Sequence, residues 1–133
     1  MKNTKSIRDK FIEFIEGESS IITKMNDDAI LIEQNDIVVG VKFEGRFASF
    51  YTFIGNGKPG MEEELSYDIE FLNNEYPFEI FVDQEKNIIC KIEAFIRDLE
   101  DDVVLNLLDT SLEFTQNIRS GIRNRLINLK LIY

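Results

Sequence analysis

The sequence lacks most of the residues that carry chemistry, with no histidine, no tryptophan and a single cysteine among its 133 residues. The absence of histidine removes the commonest general base and the commonest metal ligand, and with them the usual catalytic triads. A single cysteine can form neither an intramolecular disulfide nor a thiolate metal cluster. We therefore expect a protein that is not an enzyme and that binds no metal or other cofactor.

The remaining candidates for chemistry are carboxylates, and they cluster at residues 62–64 and 100–102. Successive residues of a helix point about 100° apart, so neither run can converge on one ion without help from elsewhere. Both runs precede apolar helical patterns, and acidic side chains are stabilised at helix starts by the helix dipole. We interpret them as helix-start residues, while an active site assembled from distant carboxylates stays open.

Basic side chains are also scarce, since 15 Lys and Arg stand against 25 Asp and Glu, a formal net charge of −10. Binding to a phosphate backbone requires clustered Lys and Arg, so the composition argues against nucleic acid as a partner. An acidic surface suits a protein that docks a basic partner. One hypothesis is therefore an immunity or inhibitor protein that neutralises a basic toxin or nuclease.

Long hydrophobic runs are missing as well. No stretch approaches the ~18 apolar residues of a membrane span, and the charged N-terminal segment lacks the apolar region of a signal peptide. We expect a cytoplasmic protein without membrane contact. A hydrophobic content of 44% in this length suits a single domain over residues 1–133.

Chain-breaking residues concentrate in one segment, residues 55–60, GNGKPG. Its spacing matches no phosphate-binding loop, and the three glutamates that follow would repel phosphate. We interpret the segment as a flexible link between a sheet and a helix.

Three helices are predicted from apolar residues at helical spacing: residues 3–17, residues 61–75, and a long helix from about residue 100 to about residue 129. Ser6 is suited to cap the first helix and Gly17 to end it. Gly121, inside the last helix, indicates either close packing against another backbone or a tolerated glycine. The apolar stripes of the three helices are, in order, Ile7, Phe11, Phe14 and Ile15; Leu65, Ile69 and Leu72 with Phe71 beside them; and Val104, Leu108, Ser111, Thr115, Ile118, Ile122, Leu126 and Leu129.

The rest of the chain has the alternation and residue types of β-strands. Strands are predicted at residues 21–25, 29–34, 37–43 and 46–54, and a hairpin over residues 78–96 turns at residues 83–87. We expect an α+β fold, a twisted antiparallel sheet of about five strands with helices packed on it, in the order α-β-β-β(-β)-α-β-β-α. One row of the hairpin reads as plain core: Phe78, Ile80, Val82, Ile88, Cys90, Ile92, Ala94 and Ile96.

The opposite row of the hairpin is half apolar, although a sheet face in water usually alternates more cleanly. It carries Phe81, Ile89 and Phe95 beside charged residues, and the strand at residues 46–54 adds Tyr51 and Phe53. Such a face is covered either by the chain's own helices or by another chain. We take these five residues as a candidate interaction face.

The stretch from residue 69 to residue 96, IEFLNNEYPFEIFVDQEKNIICKIEAFI, followed by DLEDDVV, resembles the YbjN family, whose members share the fold of type III secretion chaperones. The resemblance covers nearly the whole chain as a pattern of elements, and the chain departs from typical members in its acidity and in the short turn before the last helix. It implies helices on one face of a twisted antiparallel sheet, a homodimer, and a chaperone-like or regulatory role in binding proteins without catalysis. It transfers no binding residue.

Overall fold

The computed structural model describes residues 6–16, 20–26, 28–96 and 99–133. Within these ranges the chain forms three helices and six strands, which confirms the predicted α+β fold. Their bounds are α1 Ile7–Ile15, β1 Ser20–Asn26, β2 Ala29–Gln34, β3 Ile37–Glu44, β4 Phe47–Asn56, α2 Glu62–Glu75, β5 Glu79–Val82, β6 Asn87–Phe95 and α3 Asp101–Asn128.

All six strands form one antiparallel sheet in the order β1-β2-β3-β4-β6-β5. The sheet has one strand more than the expected five, because β1 pairs with β2 along its length. Asn35 and Asp36 join β2 to β3 with φ angles of 52° and 64°. Two left-handed residues give a turn whose twist matches that of the flanking strands, which is why Asn and Asp suit it.

Helix α1 is shorter than the predicted range of residues 3–17, and its bounds match the apolar stripe from Ile7 to Ile15. The hydroxyl of Ser6 accepts a hydrogen bond from the backbone N–H of Asp9 at 3.2 Å, so Ser6 caps the helix and Ile7 is its first residue. Glu16 is extended, which ends the helix after Ile15. The predicted C-cap, Gly17, lies outside the described residues.

The helices pack on one face of the sheet, here called the inner face, and together they form one core. Helix α3 lies mainly over β4, α1 packs on α3, and α2 packs on β5. Cys90 is fully buried in this core, and burial raises the pKa of its thiol to about 12. Its assignment as a core residue is confirmed. Fully buried core side chains include Phe11, Ile15, Ile30, Ile32, Val39, Phe50, Ile88, Leu108 and Leu126.

Four residues of the predicted apolar rows are instead exposed to solvent: Phe14, Phe71, Val82 and, at the end of α3, Leu129. Phe14 and Phe71 are 42% and 47% exposed, since each lies at the edge of its helix's apolar stripe. Val82 is 43% exposed although its neighbours on the inner face, Ile80 and Ile88, are buried. Its side chain borders a cavity beside α2, described below.

Leu129 was the predicted end of the buried stripe on α3, but it is 47% exposed. The chain reverses after it because Lys130 adopts a left-handed conformation, with φ 61°. The N–H groups of Leu131 and Lys130 bond to the carbonyls of Leu126 and Ile127, both at 2.9 Å, a Schellman-type ending. This reversal places Leu131 and Ile132, rather than Leu129, in the core.

The glycine-rich segment is not a flexible link in its first half, which corrects its interpretation from sequence. Gly55 and Asn56 belong to β4, and Gly57 forms an isolated bridge with Ile132. The N–H of Lys58 donates to the carbonyl of Leu131 at 2.9 Å. A Cβ on Gly57 would stand 2.9 Å from Leu65, so close packing explains this glycine.

The arginines near the end of α3 make specific contacts and do more than complement the helix dipole. Arg119 Nε donates to the carbonyl of Phe53 at 3.0 Å, and Arg123 Nη1 donates to the carbonyl of Ile54 at 2.8 Å. Both carbonyls lie where a β-bulge interrupts the pairing of β4 with β6. A bulge disrupts the ladder locally, and the guanidinium groups supply partners there.

Replacing Gly121 with alanine should stabilise the protein. A Cβ at this position would meet nothing within 4 Å, so the alternative of close packing is wrong and the glycine is merely tolerated. Alanine removes conformational freedom from the unfolded chain and suits a helix interior. We expect a gain of roughly 0.5–1 kcal/mol and a rise in melting temperature of about 2–4 °C by calorimetry. An unchanged or lower melting temperature would contradict this reading.

Candidate interaction face

The sheet face opposite the helices, here called the outer face, carries all five candidate residues. The strand register places Tyr51 beside Lys91, and Phe53 beside Ile89. Ile89 is also paired with Phe81, and Phe95 is paired with Phe47. The structure therefore brings the five residues onto one surface.

An apolar row crosses this surface over four neighbouring strands. It consists of Val38 on β3, Phe53 on β4, Ile89 on β6 and Phe81 on β5. Phe53 and Val38 are 46% and 44% exposed, whereas Ile89 and Phe81 are half-buried. Phe53 and Val38 therefore project from the row, and the half-buried Ile89 and Phe81 complete its apolar surface.

A polar band runs beside the apolar row and contains charges that are already paired. Lys91 Nζ lies 2.9 Å from a carboxylate oxygen of Glu93 and 5.7 Å from the centre of the Tyr51 ring. Lys42 Nζ lies 2.7 Å from Glu44. Hydrogen bonds to these glutamates raise the pKa of both lysines. These two pairs are neutral, while Glu79 beside Lys91 and Glu33 beside Val38 are further acidic residues of the outer face.

An aromatic pair lies on the far side of the polar band. The rings of Phe47 and Phe95 are 5.4 Å apart at 68°, an edge-to-face contact that suits the ring quadrupoles. Phe95 is 53% exposed and Phe47 is 38% exposed. The pair forms a second apolar contact point on the same face.

The helices of the described part of the chain do not cover the outer face. Their buried residues all belong to the core on the inner face, together with the inner rows of the strands. The sequence left open whether the chain's own helices or another chain covers this face. The helices of the described ranges do not cover it. The exposed phenylalanines of the outer face meet solvent in this structure.

Val38 and Phe47 belong to this surface but were not among the sequence candidates, and neither was Ile21 of β1, which lies on the same face and is 65% exposed. Each residue follows the period-two alternation of its strand, so the sequence contained the pattern that places it on this face. Grouping them with Phe53 and Phe95 requires the pairing register of β1, β2, β3, β4 and β6, which is a property of the assembled sheet.

The carboxylate runs lie where the sequence analysis placed them. Glu62, Glu63 and Glu64 form the first turn of α2, and Asp101 and Asp102 begin α3. Backbone N–H groups at Glu62 and Gly60 lower the pKa of the Glu62 carboxyl. Among the described residues, no three carboxylate or cysteine side chains are grouped closely enough to hold a metal ion.

No helix in the described ranges is both long enough and apolar enough to span a membrane.

Comparisons with known proteins give a likeness of fold. The structure is similar to a chain of the heterodimeric ExoU-SpcU complex from the type III secretion system of Pseudomonas aeruginosa, with a TM-score of 0.46 and 15% sequence identity. The likeness covers 85% of this chain and 84% of that chain. No protein-family model and no curated protein matches the sequence.

Proposed function

We propose that this protein is a non-catalytic protein-interaction module of the YbjN or secretion-chaperone kind, working in the cytoplasm, and that it forms a homodimer through the outer face of its sheet. The observation that carries the proposal is the apolar row with its exposed Phe53, on a face that no described helix covers. The half-apolar alternation in β4 and β6 is then an adaptation to a partner.

Exposed aromatic side chains support a partner surface. Soluble monomers seldom expose contiguous apolar patches beyond a few hundred Å², and larger patches mark contact sites. Phe53, Phe95 and Val38 are each 44% or more exposed on one face. Aromatic residues of this kind dominate interface energetics because each removes a large apolar area from water.

The charge distribution favours a second copy as the partner. Two chains with a net charge of −10 repel each other, and the repulsion is smallest where each chain is locally neutral. The outer face is less acidic than α2, since two of its glutamates pair with Lys42 and Lys91, whereas α2 carries six acids and no base. The sheet edge at β5 is less suited to association, because Asn73 already bonds the N–H and the carbonyl of Ile80 at 2.7 and 2.9 Å.

The assignment as a non-enzyme is part of the proposal. Cys90 is buried with a raised pKa, which opposes nucleophilic chemistry. The carboxylate runs interact with helix starts, and Asp68 pairs with Arg125 through oxygen–nitrogen distances of 2.6–3.1 Å. Glu62 and Asp68 therefore have structural partners.

Light scattering coupled to size-exclusion chromatography tests the homodimer directly. Between about 1 and 100 µM protein, we expect the mass to approach twice the monomer mass as concentration rises, because association is second order. Measurement at two salt concentrations adds a check, since screening should strengthen an association that net charge opposes. A strict monomer at 100 µM would overturn the homodimer.

One observation favours the alternative of an acidic inhibitor. Helix α2 carries six acidic residues and no basic one, EEELSYDIEFLNNE, and most of its acids are exposed. Such a surface would capture a basic toxin or nuclease with fast, salt-sensitive association. A basic partner that is released at high salt and is lost on Glu63→Lys with Glu70→Lys would favour this function, and would place contact on α2.

A further inference from the structure

A cavity of about 390 Å³ lies between α2, the β5–β6 hairpin and the segment that follows β4. Its apolar wall is formed by Leu65 and Ile69 of α2 and by Val82 of β5. Lys58, Lys86 and Glu62 supply the charged part of its lining. The side chains of Lys86 and Glu62 are 68% and 62% exposed, which places them at the opening.

The cavity has the size and lining of a ligand site. Pockets for small molecules measure about 300–1,000 Å³ and are mainly apolar with a few polar groups. A dry cavity of roughly 150 Å³ is already large enough to admit benzene. This cavity is more than twice that volume and opens to solvent, so it can admit a flexible apolar chain.

The exposed side chain of Val82 leaves part of the apolar wall of the cavity in contact with solvent. Val82 shares the inner face with Ile80 and Ile88, which are 2% and 0% exposed, yet it is itself 43% exposed. The apolar area left in water here would be removed by an occupant of the cavity. The hydrophobic effect therefore favours a ligand with an apolar portion.

The charged side chains at the opening determine which polar head group the ligand carries. Two lysines and one glutamate line the opening, so basic side chains outnumber acidic ones in the lining itself although α2 as a whole is acidic. Glu62 lies 4.0 Å from Lys86, at the limit of an ion pair, and its carboxyl is engaged by the backbone at Glu62 and Gly60. Lys86 can therefore accept an additional anionic partner.

We propose that this cavity binds a small amphipathic anion, a medium-chain carboxylate being the simplest case. The alkyl chain lies against Leu65, Ile69 and Val82, and the carboxylate binds Lys86. Lys58, whose ammonium group lies 5.0 Å from the centre of the Tyr133 ring, is the second base of the opening. The site is separate from the outer face, so it stands whether or not the homodimer forms.

Titration with octanoate, followed by NMR shifts of the Val82 and Leu65 methyl groups, tests the site. We expect saturable binding, with octylammonium and acetate each at least tenfold weaker, since one has the wrong charge and the other lacks the chain. Octanol should also bind more weakly than octanoate. No saturable shift by 10 mM octanoate, or equal binding of octylammonium, would overturn the proposal.

Two kinds of variant test the charged opening and the apolar cavity separately. Lys58→Gln with Lys86→Gln should weaken octanoate about tenfold, whereas Lys10→Gln with Lys24→Gln, the same charge change on α1 and β1, should leave it within twofold. Ser66→Phe introduces a ring from an exposed position of α2 that lines the cavity and should abolish binding. If that variant melts early, Val82→Glu replaces it and should also abolish binding. Unchanged affinity in either the double lysine variant or the cavity variant would refute the assignment.

Discussion

Phe53→Glu should convert the protein to a monomer while leaving the fold intact. We expect the dissociation constant of the homodimer to rise at least about 30-fold, which corresponds to the loss of roughly 2 kcal/mol or more at an interface hot spot. Phe53 lies at the middle of the apolar row, between Val38 and Ile89, and is 46% exposed. In a symmetric dimer the substitution is present in both copies. Each new carboxylate would have to give up its hydrating water on binding, which costs free energy.

Sedimentation or light scattering of matched variants isolates this effect. Phe114→Glu is the control, since Phe114 lies on α3 with a similar exposure of 43% and the same change of charge. Phe95→Glu should weaken the dimer less than Phe53→Glu if the apolar row is the centre of contact. If Phe53→Glu and the unsubstituted protein have equal masses, the interface does not lie on the outer face. The edge strand β1 is then the next candidate.

Ile132→Ala should lower the free energy of unfolding by about 3 kcal/mol, a large effect for a position so near the end of the sequence. Ile132 is 2% exposed, bridges to Gly57, and packs at the bulge of β4 near Gly55. Truncating a buried isoleucine loses its transfer free energy and leaves a cavity, at a typical cost of 2–5 kcal/mol. The melting temperature should fall by roughly 10 °C at fixed protein concentration.

Leu129→Ala is the matched control for this prediction. Leu129 precedes the chain reversal at Lys130 and is 47% exposed, so its truncation should cost less than about 1 kcal/mol. Urea unfolding of both variants at one concentration compares the two costs. Equal costs would mean that residues 131–132 do not close the core as the structure shows.

The outer face illustrates what could be predicted from the sequence. Period-two spacing alone put Phe81, Ile89 and Phe95 on one side of the hairpin, since side chains alternate strictly along a strand. It could not choose between cover by the chain's own helices and cover by another chain. That choice depends on which face α3 occupies, which is decided by the match between the apolar stripe of α3 and the inner rows of β3, β4 and β6.

The sequence by itself determined the class of the fold, the order of its elements, the two-residue gap between the strands at residues 29–34 and 37–43, and the cap at Ser6, because alternation, helical spacing and capping act over a few residues. Only the tertiary structure decided the contacts between distant segments. These are the bridge from Gly57 to Ile132, the guanidinium bonds from α3 to the bulge of β4, and the cavity bordered by Val82. Each depends on segments far apart in the chain, and local patterns carry no information about which distant groups will meet.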